Sequence, residues 1–113
     1  MDRQLVSMKD PVLAPGVAYT ATATVTMFPA GQSCEAELFL GESDSSPVAT
    51  SGRVSFQSNG SPQQVQFQVT MPSQYGEYHV YLDVFMGSIR VLAFLGTEDV
   101  IVPGGSVDSI TWT

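Results

Sequence analysis

Residues 75–90, YGEYHVYLDVFMGSIR, decide the fold. Tyr78, Val80, Leu82, Val84 and Met86 fall on alternate positions, the period of a strand whose successive side chains point to opposite faces. The other set, His79, Tyr81, Asp83 and Phe85, should be the wet side, yet half of it is aromatic. A strand apolar on both faces needs a core on one side and a cover on the other. Gly87-Ser88 reads as a two-residue turn into IRVLAFLG, so residues 78–95 are expected to form one long hairpin.

The same period runs through most of the chain. In VAYTATATVTMF, residues 17–28, Val17, Tyr19, Ala21, Ala23, Val25 and Met27 alternate with alanine and threonine, and β-branched threonine suits the solvated side of a strand. CEAELFLG places Ala36, Leu38 and Leu40 on one face and Glu35, Glu37 and Phe39 on the other. VATSGRVSF reads as one strand or two short ones, with Gly52 a natural place to bend. In QQVQFQVTM, Val65, Phe67, Val69 and Met71 point inward while Gln64, Gln66, Gln68 and Thr70 point out, and Asn59-Gly60 before it carries the signal of a tight hairpin. A further strand is expected at 107–112, VDSITW, after the flexible PGG. No helical period survives the breakers. The expected organisation is a lead-in over residues 1–16, with a short edge strand at Leu5 and Val6, and a single all-β domain over 17–113.

Composition narrows the function classes. At 113 residues, with 43% hydrophobic and 13% charged residues, the chain can bury one core and is expected to be a soluble domain. The formal charge of −7, with only 4 Lys and Arg, argues against nucleic acid and against anionic membranes as partners. Cys34 is the sole cysteine, so no intrachain disulfide is expected. Residues 1–16 contain no apolar run of signal-peptide length, and no stretch of about 18 apolar residues occurs. An extracellular surface or a particle is the expected setting if the chain is part of a larger exported or assembled protein.

Seven or eight short strands at this spacing suggest an antiparallel sandwich with Greek-key links. Gly76-Glu77-Tyr78-His79-Val80, shortly after Pro72, resembles the Gly-x-Tyr-x-Cys start of strand F in immunoglobulin-like domains, whose tyrosine hydroxyl ties back to a nearby backbone group. Val80 stands where antibody domains carry their second cysteine, and CEAELFLG has no tryptophan. The chain therefore resembles the disulfide-free immunoglobulin-like or fibronectin III-like β-sandwich superfamily over residues 17–102. The resemblance implies a structural role for Tyr78 and a module of a cell-surface, secreted or viral structural protein. It carries no catalytic residues across.

No residue pattern calls for an enzyme, a cofactor or a metal. His79 is the only histidine, which leaves neither a multi-histidine site nor a serine triad, and it reads as an ordinary outer-face residue. Cys34 at a strand start reads as a packing residue. Glu42-x-Asp44 and Glu98-Asp99 match no calcium loop and read as solvated turn carboxylates. Glu35 and Glu37 share a strand face that offers no cleft for a glycosidase pair. PGG at 103–105 lacks the lysine-bearing helix of a phosphate loop.

What remains is the second face. If the hairpin keeps its phase, Phe39, Tyr81, Phe85, Leu92 and Phe94 emerge together with Arg90 on the side opposite the core. Aromatics beside an arginine match the centres of protein interfaces. Burying a few hundred Å² at about 25 cal/mol per Å² supplies several kcal/mol before association costs. The expected function is a non-catalytic structural or protein-interaction module that uses this face for self-association or for docking a neighbouring domain. Four alternatives stay open: a carbohydrate-binding module, an enzyme if Glu37, Asp83 and His79 surround a cleft, a face covered by the chain's own lead-in or tail, and a phase shift by a bulge.

Overall fold

A computed structural model of the chain describes residues 3–112, so the first two residues of the lead-in and the last residue of the expected domain lie outside the described part. All its regular structure is β, in nine strands: β1 Gln4–Val6, β2 Ala18–Val25, β3 Ser33–Gly41, β4 Pro47–Thr50, β5 Val54–Gln57, β6 Gln63–Thr70, β7 Gly76–Met86, β8 Ile89–Gly96 and β9 Val100–Val102. Seven form one sheet in which β7 is central, flanked by β3 on one side and by β8 and then β9 on the other. β4 and β5 take successive parts of the far edge of β3, with the bend at Gly52 between them. The second sheet is only β2 paired with β6, antiparallel from Ala18 opposite Thr70 to Val25 opposite Gln63.

The two layers meet where the alternation predicts. Val65, Phe67, Val69 and Met71 of the second sheet are buried against Cys34, Ala36, Leu40, Tyr78 and Val84 of the first. Phe67 and Ala36 lose all exposure, and Cys34 is a free, buried thiol packed among them. Glutamine and threonine on the opposite side of β6 stay in water, so one layer of apolar contacts holds the sheets together. Tyr78 closes one end of this core, and its hydroxyl donates to the Gln74 carbonyl at 2.8 Å.

Two connections differ from expectation. Gly87-Ser88 does form the two-residue turn, with Gly87 at φ 64°, but Asn59-Gly60 makes no hairpin: β5 belongs to the large sheet and β6 to the small one. The demand for positive φ at Gly60 is the same, but here it serves a crossing between layers. The crossing is fixed by Ser58, whose buried hydroxyl donates to the Pro29 carbonyl at 2.6 Å and accepts from the Gln32 amide at 2.9 Å. The expected strand at 107–112 is also not formed; residues 103–112 are exposed throughout.

The lead-in joins the large sheet. β1 runs parallel to β8, Gln4 opposite Phe94 through Val6 opposite Gly96. Farther on, Leu13 donates to the Ile101 carbonyl and Ile101 to the Pro11 carbonyl, both at 2.9 Å. Met8 crosses so close to Gly96 that a Cβ there would collide with its sulfur. The chain thus follows the β8–β9 edge over most of residues 4–13 and is not available to the small sheet.

Removal of the buried hydroxyl in Tyr78→Phe should cost about 1 kcal/mol, the net value of one hydrogen bond. Urea unfolding should show a lower midpoint at unchanged slope; an unchanged midpoint would mean that this bond contributes nothing.

Candidate functional site

The outer face of β7 is covered, and the cover comes from arginine. Phe39 and Tyr81 stand opposite each other in the β3–β7 register and stack with ring centroids 5.1 Å apart. The Arg3 guanidinium lies over both rings, 4.8 Å from the Tyr81 centroid and 5.6 Å from that of Phe39, leaving them only 7% and 6% exposed. Its Nη1 donates to Asp83 Oδ1 at 2.7 Å and to the Phe94 carbonyl at 3.2 Å, and its Nε to Asp44 at 3.3 Å. Arg53 lies 3.5 Å over the Phe85 ring between Glu35 and Glu37, and Arg90 comes within 3.7 Å of Asp83. Three of the chain's 4 Lys and Arg are therefore spent on one face, each over an aromatic ring or beside a carboxylate.

A bulge divides the residues expected to form one patch. Val84 pairs with Leu92, but Phe85 pairs with Arg90, so Val91 is one residue in excess. Paired residues share a face: Arg90 stays outside beside Phe85, while Leu92 joins Val84 and Phe94 joins Leu82 on the inner side. The structure thus brings together Phe39, Tyr81, Phe85 and Arg90 and sends Leu92 and Phe94 to the opposite face. Several other titratable groups have partners of their own. His79 Nδ1 is 2.7 Å from Asp99, Glu98 accepts from the Asp10 amide at 2.8 Å, and Glu37 meets Thr50 and Arg53. Among the described residues no group of three or more His, Cys, Asp or Glu is placed to hold a metal ion.

Leu92 and Phe94 open onto a feature that the alternation did not reveal, a groove of about 670 Å³ on the inner side of the large sheet. Its floor is Leu82, Val84, Leu92 and Phe94; one bank is Val6, Met8 and Leu13 of the lead-in, and the other is β2. No charged side chain lines it. It stays open because β2 contributes only Ala21 and Ala23 at its middle, too small to reach the floor. The bank is also a free strand edge. Met71 N–H donates to the Val17 carbonyl at 2.9 Å, and continuing the register makes odd-numbered β2 residues those bonded to β6. The N–H and C=O groups of Ala18, Thr20, Thr22 and Thr24 therefore point away from β6, where β2 has no strand partner among the described residues. Chemically, the groove offers apolar contact and a ladder of backbone donors and acceptors, with nothing nucleophilic or acidic.

Comparison with protein-family models, with curated proteins and with solved structures found no match.

Burial disfavours the Arg3 charge, but Asp83 first and then Asp44 outweigh this and hold its pKa above the ordinary value. Replacing it in Arg3→Met leaves Asp83 buried beside the more distant Arg90. Unfolding free energy should fall by about 2–3 kcal/mol, somewhat under the usual cost of breaking a buried pair. A second change, Asp83→Leu, should restore much of it in denaturant titrations. The Tyr81 hydroxyl is raised above its ordinary 10.0, by desolvation and then by Asp44 and Asp99, against Arg3. The unfolded chain ionises first, so this contribution is intact below pH 10 and is lost as pH rises beyond it. Tyr81→Phe should make the alkaline fall in midpoint shallower than in the parent chain.

Proposed function

We propose that the chain is a non-catalytic protein-interaction module with an immunoglobulin-like β-sandwich fold, and that it binds an extended polypeptide segment in the groove beside β2. The observation that carries this reading is the coincidence of an unpaired strand edge with an uncharged apolar groove. An incoming strand bonds the outward groups of β2 through its backbone and drops alternate side chains toward Leu82, Val84, Leu92 and Phe94. The immunoglobulin-like assignment is supported by the layered all-β architecture and by the Tyr78–Gln74 hydrogen bond. A role as a structural part of a surface or particle assembly is compatible with strand addition, which links chains without chemistry. Self-association through the outer aromatic face finds no support, because Arg3 already occupies the Phe39 and Tyr81 rings. The same cover removes the flat platform on which a sugar would stack.

Selection from a displayed peptide library, with the chain immobilised sparsely, should enrich peptides with apolar residues at every second position. Ala23→Glu places a carboxylate in the groove, where it still reaches water, and should abolish the enrichment at near-parental stability. Enrichment that survives Ala23→Glu, or its absence from a folded parent chain, would contradict the reading.

A further inference from the structure

We propose that the segment seated in the groove is the C-terminal stretch of a second copy of this chain, with residues 109–112 as the added strand; this rests on the groove reading above. The stretch has the alternation of a strand but pairs with nothing among the described residues. Residues 103–112 are exposed throughout, with Val107 80%, Ile110 77% and Trp112 90% exposed, and Trp112 is the chain's only tryptophan. Large apolar side chains left in water along one short stretch mark a contact surface.

The pattern of this stretch complements β2 on both faces. Ile110 and Trp112 share one parity; Ser109 and Thr111 share the other. With Ile110 and Trp112 turned inward, two bulky side chains enter the space that Ala21 and Ala23 leave open. Ser109 and Thr111 then extend the threonine surface of Thr20, Thr22 and Thr24. The uncharged lining means that a net charge of −7 on each copy creates no like-charge contact at the seat itself.

Direction and reach favour another copy over the chain's own groove. β9 runs from Val100 opposite Tyr78 to Val102 opposite Gly76, the first residue of β7, so the chain leaves the large sheet past the start of its central strand. Gly104 then lies against the Tyr75 ring so closely that a Cβ would come within 2.7 Å of it. The molecule measures 70 × 24 × 22 Å. Fully extended, residues 103–112 would span about 33 Å, and they are exposed throughout. The tail thus stands well clear of the body, and its own groove lies back along the way it came.

Three forms of the protein test this: the full chain, a chain ending at Val102, whose described losses, residues 103–112, are all exposed, and full-length Ala23→Glu. Dilution of the full chain should move Trp112 emission to longer wavelength as the mass falls to 12.1 kDa. Neither altered form should self-associate, but mixing the two should give a one-to-one pair, since one keeps the groove and the other the tail. Blue-shifted emission that is independent of concentration, or self-association that survives the loss of the tail, would overturn the second-copy assignment. A synthetic peptide of residues 103–113 that fails to bind the shortened chain, while a library-selected peptide binds, would overturn it and leave the groove reading standing. Failure of both peptides would remove both.

Discussion

The rest of the structure depends on the contact of Arg3 with Asp83. An aspartate in the middle of a strand otherwise apolar on both faces is costly to bury unless a cation meets it. Only 4 such residues exist in the chain, and the one that reaches deepest comes from its beginning. Arg3 satisfies Asp83, covers Tyr81 and Phe39, and also bonds the Phe94 carbonyl, so β7 can be apolar on both sides with those two rings kept from water. The second face of the central strand is thereby finished within the chain itself.

That arrangement has a cost at the opposite layer. A lead-in held on β8 by Arg3, by the parallel β1 ladder and by the Pro11–Leu13 bonds to Ile101 cannot also pair with β2. The small sheet is left with two strands and an open edge, and the inner side of β8 is left partly uncovered. Exposed strand edges beside apolar surface are a hazard that folded proteins usually blunt by covering or charging them. Here threonine makes the outward side of β2 soluble, but its backbone and the groove beside it stay available, which fits a site held for another strand.

Much of the fold was legible because alternation was clean wherever one face is wet. β2, β3, β6 and β7 keep the faces that their sequences assign, Gly52 bends the chain, Gly87-Ser88 turns it, and Tyr78 makes its backbone bond. The candidate site was less legible. In RVLAFL only Arg90 marks a face, so one extra residue at Val91 reverses Leu92 and Phe94 without leaving a trace in the pattern. The arginine cover joins residues about 80 positions apart, which no local pattern reveals. Asn59-Gly60 misled because a crossing between sheets and a hairpin ask the same of the backbone. The groove shows in sequence only as small residues at 21 and 23, which read equally well as ordinary core.

The most direct test is residue-resolved amide hydrogen exchange along β2 at a dilution where the chain is monomeric. The amides of Tyr19, Ala21, Ala23 and Val25, bonded to β6, should exchange slowly, while those of Ala18, Thr20, Thr22 and Thr24 exchange at rates close to those of an open chain. Uniform protection of all eight in the monomer would mean that this edge is already paired, and that no strand is awaited there.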